Sequence, residues 1–364
     1  MMEAALPRRM DPATRVVVCG AGFGGMRVAQ DLQHDVDVTV VAPTDKFVFL
    51  PLIHEVASDH TKPTQVTRDL HELLPKARLV HGRAERVEGN DLVTAAGERL
   101  PFDVLVVAVG AEPNDFGVPG VREHALTFYS VGDALRANAT VKMAAANVKG
   151  RPVRVTVAGA SFTGVEVAGE IAQLLDDLGV AREVTLLDAL PDIFPRQAPR
   201  FRQEVTARMR ELDLRLRTEA RIVEVGPDRV VYEHDKERRE VGHDVVFWCA
   251  GIRPRRVEGV DPNVRPTLHS LSRGDVFVLG DAARFPREMG VPQLAQTAED
   301  QASVVTWNVL NPDRMREYKP FLKGIILAMG HNYAVAEFAG GAVLAGRLPW
   351  HVKRRLYKAK IALA

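Results

Sequence analysis

The sequence predicts an α/β protein built from two tandem units of one design, with the second inserted in the first. Three observations predict it. Residues 15–22 (RVVVCGAG) and 154–161 (RVTVAGAS) are β-branched runs that end in glycine-rich turns, so one motif occurs twice. The order that follows each run is also shared: a helical pattern (23–32 and 162–178), a second apolar run (36–42 and 183–189), hairpin-like alternation, and an apolar run closing in glycine (102–110 and 243–251). The spans agree as well, 90 residues from Gly20 to Gly110 and 92 from Gly159 to Gly251. A repeat of this kind organises a chain before any single residue does.

Strands alternating with helices argue for parallel sheets built from βαβ units. The runs VLVVAV and VVFWCA lack polar alternation, as strands covered on both faces do. A short strand at 275–280 (DVFVLG) comes after the second unit, so it is expected to join the first unit's sheet; a helical pattern follows at 293–309. The expected boundaries are a discontinuous first domain of residues 1–118 and 256–322, a second domain of residues 119–255, and a C-terminal module of residues 323–364.

The chain has 364 residues, 46% of them apolar, enough for two to three domains with sizeable cores. Lys plus Arg number 48 and Asp plus Glu 47, a net charge of +1 that argues against nucleic acid as a partner. Two cysteines make neither a disulfide framework nor a Cys-only metal site, and they suit a reducing compartment. The opening stretch MMEAALPRRMDPATR has no apolar run after its charges, so no secretory signal is expected. No run of about 18 apolar residues predicts a membrane-spanning helix. His54, His60, His71 and His81 lack ligand-like spacing, and no metal is expected.

In the first unit Gly20, Gly22 and Gly25 form GxGxxG between a strand and a helix. This pattern suits a Rossmann-like dinucleotide-binding domain. Glycine serves the tight turn, the close approach of backbone to a pyrophosphate, and helix–sheet packing, while the helix N-terminus presents N–H groups to the phosphates. In the second unit the matching residues are Gly159, Ser161 and Gly164, so the middle position carries a hydroxyl. Asp188 ends the following strand, where a carboxylate accepts ribose hydroxyls and repels a 2′-phosphate, favouring NADH over NADPH. The equivalent strand end in the first unit is Ala42, with Asp45 nearby.

These residues resemble the FAD-dependent pyridine-nucleotide oxidoreductases, and within them the type II NADH dehydrogenases (NADH:quinone oxidoreductases). The resemblance rests on CGAGFGG at 19–25, FLPLIHEVAS at 49–58, FGVPG at 116–120, YSVGDALR at 129–136, SFTGVEVAGEI at 161–171, VFVLGDAA at 276–283, QLAQTAEDQ at 293–301 and GHNYAVAEFAG at 330–340. It implies two glutathione-reductase-like Rossmann domains and a C-terminal membrane-contact module. FAD would lie on the first domain, NADH on the second, and a quinone would be reduced without proton pumping. Gly20, Gly22, Phe23, Gly24, Gly25, Ala108, Gly110, Gly280 and Asp281 would then bind FAD. Gly159, Ser161, Thr163, Gly164, Asp188 and Gly251 would bind NADH. Asp281 equally suits a helix N-cap, and Glu166 a first-turn acid set against the helix dipole.

Glu166 matches the family's glutamate between flavin and nicotinamide, and Gln296 the first glutamine of its quinone motif. Asp300 stands where that motif has its second glutamine, and Gln301 comes one position late, a turn of about 100° around the helix. Disulfide reductases carry CxxC or CxxxxC, and sulfide:quinone oxidoreductases use reactive cysteines. Here Cys19 and Cys249 read as core residues. A sulfide:quinone oxidoreductase-like enzyme, a ferredoxin-type flavin reductase with a different acceptor, and a weakly active, redox-responsive flavoprotein remain as alternatives.

The tail carries six basic residues after the last acidic one, Glu337. Val352, Leu356, Ala359 and Leu363 form one helical stripe flanked by Lys and Arg, and Trp350, Tyr357 and Ile361 form a second patch. The pattern suits an anchor on an anionic membrane surface or contact with a homodimer partner. Together with the resemblance it implies a peripheral protein on the cytoplasmic face of the cell membrane.

Overall fold

The computed structural model describes residues 11–363, and every structural statement below concerns those residues. The opening stretch, where no secretory signal is expected, lies largely outside them, as do the side chains of Ala359, Lys360, Ile361 and Leu363. The chain divides into two compact units.

The first unit comprises Met1–Val48, Thr67–Glu112 and Arg253–Phe321. Its centre is a five-stranded sheet in the order Val276–Val278, Val104–Val107, Arg15–Cys19, Asp37–Ala42, Arg78–His81, every pair parallel. The strand Val276–Val278 joins this sheet at its edge beside Val104–Val107, as the sequence predicts. Val16, Val18, Val40, Leu105 and Val106 are fully buried, and each such side chain contributes roughly 2 kcal/mol of burial. The helix Phe23–Leu32 turns Val28, Ala29 and Leu32 inward and packs against the helix Ala295–Leu310. Hairpin-like alternation becomes an antiparallel sheet of Ala84–Glu88, Asp91–Thr94 and Arg99–Pro101.

The second unit comprises Phe49–Val66, Pro113–Ile252 and Leu322–Ala364. It repeats the design with a parallel sheet in the order Leu126–Thr127, Val245–Trp248, Val153–Ala158, Arg182–Leu187, Leu214–Arg217. An antiparallel sheet of Arg221–Val225, Arg229–His234 and Glu237–Gly242 packs Val225, Val230 and Tyr232 beside Val246 and Trp248. A further antiparallel sheet (Gly324–Ala328, Ala334–Phe338, Val343–Gly346) leads into the C-terminal helix Arg347–Leu363.

The division differs from the expected boundaries at residues 49–66, and residues 322–364 belong to the second unit rather than forming a module of their own. The helix Ile53–Ala57 is buried at all five positions, and it packs on Val131–Asn147 and on Phe162–Asp177. A segment with every face covered cannot be placed by periodicity, because no polar stripe marks an outside.

Candidate active site

The first glycine turn is dictated by packing. Gly20 has φ +99°, and a Cβ on it would lie 2.4 Å from the Ala108 carbonyl oxygen. A Cβ on Gly25 would lie 1.9 Å from the Gly20 oxygen, and one on Gly24 would lie 2.6 Å from Leu279 Cδ1. Gly22 is different: its conformation is extended, and a Cβ there would meet no protein atom within 4 Å. It occupies the N-cap position of the helix Phe23–Leu32 but supplies no capping side chain, and the first turn carries no acid, which leaves the positive end of the dipole for an anion.

Beside this turn lies a cleft of about 610 Å³ lined by Gly20, Val41, Val109, Arg83, Arg253 and Arg284, among others. Its size is that of a ligand site, and its arginines suit a dinucleotide's phosphates. Glu112 also lines it and accepts a hydrogen bond from Arg253 Nε at 2.7 Å. Ala42 ends its strand buried, while Asp45 is exposed, 3.6 Å from His81. The open position at Gly22, the uncapped helix and the arginine-lined cleft together fit FAD. Ala108 and Gly110 flank the end of the Val104–Val107 strand and are half-buried.

Gly280 has φ +66° and opens a 3-10 turn, Gly280–Ala282, that contains Asp281. Asp281 therefore does not cap the helix Ala295–Leu310, whose N-cap is Leu294. Gln296 and Asp300 are half-buried on that helix, four residues apart and thus on one face. Gln301 is fully buried and its Oε1 accepts from the Gly280 N–H at 2.7 Å. The one-residue offset in the motif does not turn Gln301 away; it carries the glutamine to the turn that holds Asp281. Burial raises the Tyr318 phenol pKa, with the Asp300 charge adding to the effect.

In the second turn a Cβ on Gly159 (φ +92°) would lie 2.6 Å from the Cys249 oxygen, and one on Gly164 would lie 1.9 Å from the Gly159 oxygen. Ser161 Oγ donates to the Cys249 carbonyl at 3.1 Å and accepts from the Gly164 N–H at 3.3 Å. The serine is thus the helix cap that Gly22 is not. Asp188 accepts from the Ala160 N–H at 2.7 Å and from the Leu190 N–H at 2.8 Å. Its carboxylate braces the turn and keeps acceptor positions for a ligand. Thr163 is exposed in the first turn of the helix Phe162–Asp177, and Gly251 (φ +152°) faces the Phe116 ring.

Glu166, on the same helix, lies beyond its first turn, so it is not the first-turn acid the sequence also allows, and it is not free. Its Oε1 accepts from the buried Lys353 Nζ at 2.5 Å and from the Ala328 N–H at 3.2 Å, and its Oε2 is 3.5 Å from His54 Nδ1. Burial alone would push the Lys353 pKa down, but the charge and hydrogen bond of Glu166 outweigh it and hold the pKa above the ordinary lysine value. Tyr357 packs on Phe49 at 4.8 Å between ring centroids, and burial raises its pKa. Lys353, read from the sequence as one of the tail's surface cations, is therefore an interior residue. The periodicity predicts the helix but not the partner, which lies far back in the chain.

Leu348, Val352 and Leu356 form the exposed side of that helix, with Arg355 and Lys358 also exposed. His54, which lacks ligand-like spacing in the sequence, faces the partly buried carboxylate of Glu166, and His60 faces the buried one of Glu170. His71 and His81 are exposed. Both cysteines are buried, and desolvation pushes the Cys249 thiol up to about 12 and that of Cys19 higher still. Neither is a thiolate at neutral pH.

Residues 14–302 match the pyridine nucleotide-disulphide oxidoreductase family, and the chain belongs to that family. It is similar to the type II NADH:quinone oxidoreductase Ndh of Mycobacterium tuberculosis, 29% identical over 92% of this chain and 82% of that protein. It is also similar to the demethylphylloquinone reductase NdbB of Synechocystis, 25% identical over 93% of this chain and 91% of that protein. Two solved structures share the fold. One is NDH2 from Plasmodium falciparum in complex with NADH (TM-score 0.84, 14% identity, 94% of each chain). The other is the sulfide:quinone oxidoreductase of Aquifex aeolicus (TM-score 0.85, 20% identity, 95% of this chain and 90% of that one).

Proposed function

We propose that the chain is an FAD-dependent NADH:quinone oxidoreductase, with FAD on the first unit and NADH on the second. The observation that carries this reading is the contrast between the two duplicated turns. The first has an open glycine, an uncapped helix and a cleft rich in arginine. The second has a serine cap and a strand-end carboxylate. The curated relatives named as NADH:quinone oxidoreductases support the acceptor.

Bound FAD supplies the chemistry of accepting a hydride and passing on two electrons. The chain's own residues bind, orient and manage protons. The 20–25 turn holds the pyrophosphate against the helix dipole, and Arg83, Arg253 and Arg284 balance its charge. Asp188 accepts ribose hydroxyls and disfavours a 2′-phosphate. Glu166, paired with Lys353 and 3.5 Å from His54 Nδ1, is the carboxylate assigned to relay protons toward the reduced quinone. Gln296 and Asp300, on one helix face, orient the quinone.

We assign the 323–364 module to an anionic membrane surface on the cytoplasmic face. No described helix is long and apolar enough to cross a membrane, and Leu348, Val352 and Leu356 are exposed beside cations. Liposome flotation is expected to fall with Leu348→Glu, Val352→Glu and Leu356→Glu combined. Unchanged flotation with loss of a dimer on sizing would assign that face to a second copy instead. Steady-state NADH oxidation with a short-chain quinone or with ferredoxin as acceptor, and quinone reduction with sulfide in place of NADH, test the reaction. Turnover with quinone alone is expected; turnover only with ferredoxin would displace this reading.

A further inference from the structure

His60, Glu170 and His331 come from three separate stretches of the second unit, yet each offers a ligand atom within 4.8 Å of the others. His60 follows the helix Ile53–Ala57, Glu170 lies in the helix Phe162–Asp177, and His331 follows the strand Gly324–Ala328. His60 Nδ1 is 2.8 Å from Glu170 Oε2, and the Ser58 hydroxyl donates to the same oxygen. The rings of His60 and His331 approach to 3.0 Å between centroids. Glu170 is 2% exposed. His331 Nε2 is buried with no hydrogen-bond partner among the described residues, although its backbone N–H donates to Gln173 Oε1.

Packing alone gives no reason for two imidazoles to crowd one buried carboxylate, or for a buried ring nitrogen to stay unpaired. A shared cation satisfies both. We propose that His60, Glu170 and His331 bind a divalent transition-metal ion of the Zn²⁺ class, with a water completing its coordination. Two imidazoles and one carboxylate are the donors that such ions take, whereas Ca²⁺ and Mg²⁺ require oxygen ligands. The ion ties the loop after Ala57 and the turn at His331 to the helix that carries Glu166, one turn before Glu170. The site is independent of the redox reading, because it uses none of the residues assigned to FAD, NADH or quinone.

The test is equilibrium dialysis of the flavin-loaded full chain against Zn²⁺, and separately Co²⁺, with metal counted by mass spectrometry. One ion per chain is expected, unaffected by excess Mg²⁺. His60→Ala and His331→Ala change partly exposed residues, and each is expected to weaken binding by about 100-fold with flavin content unchanged. The visible spectrum of Co²⁺ in the wild-type chain reads the ligand set without any substitution, and a nitrogen-ligated tetrahedral spectrum is expected. Absence of retained metal in the wild-type chain, or affinity unchanged in both variants, would overturn the proposal whatever the enzymatic activity proves to be.

Discussion

Lys353 Nζ lies 2.5 Å from Glu166 Oε1, joining the C-terminal helix to the helix that follows the second glycine turn. The lysine is buried, 1% exposed, while the Glu166 side chain keeps a small exposed fraction of 14%. Truncating one partner leaves the other charge uncompensated, which costs far more than the pair itself contributes.

Lys353→Met is therefore expected to destabilise the second unit by about 3 kcal/mol. Adding Glu166→Gln should recover much of that loss, because the orphaned carboxylate is then neutral. Urea unfolding of the two single variants and the double variant measures the coupling. Additive losses would show that the two residues do not act as a pair.

The same pair has a pH signature. The folded-state pKa of Lys353 is raised, so its stabilisation is complete below the ordinary lysine value of about 10.4 and is lost as pH rises through the higher folded value. Melting temperatures taken from pH 8 to pH 11 should fall more steeply for the wild-type chain than for Lys353→Met. Parallel curves would argue against a charged, buried lysine.

Gly22 and Gly25 separate binding from folding within one motif. Gly22→Val adds atoms where the protein has none, so the fold should persist while flavin is lost. Gly25→Ala drives a Cβ onto the Gly20 oxygen and should abolish soluble, folded protein. Circular dichroism and flavin absorbance of both variants check this. A yellow Gly22→Val protein would remove Gly22 from the cofactor cradle.

At the second turn, Ser161→Ala removes the helix cap and is expected to cost about 1 kcal/mol. Asp188→Asn keeps the geometry but weakens the bonds from Ala160 and Leu190 and the charge that opposes a 2′-phosphate. Its expected effect is a rise of about tenfold in KM for NADH with a smaller one for NADPH, a loss of about 1.4 kcal/mol of selective binding. Equal changes for both nucleotides would contradict the role given to Asp188.

Residues whose roles depend on near neighbours were legible in the sequence. The strands, the two turns and the helices behind them follow from β-branched runs and glycine spacing, and the placement of the strand Val276–Val278 follows from the need to pair it. Residues whose partners lie far along the chain were not. Lys353 reads as a surface cation because nothing near it predicts Glu166, and His60 looks solitary because His331 is distant. Gln301 looks displaced by one position until the Gly280 N–H is seen to meet it. Ile53–Ala57 shows no amphipathic pattern because every face is covered.

Anaerobic titration of the full-length yellow protein with NADH decides whether the duplicated turns carry one reaction. One equivalent of NADH per chain should bleach the flavin band, and a short-chain quinone added afterwards should restore it. A protein that holds no flavin, or whose flavin stays oxidised in excess NADH, would contradict the proposed reaction.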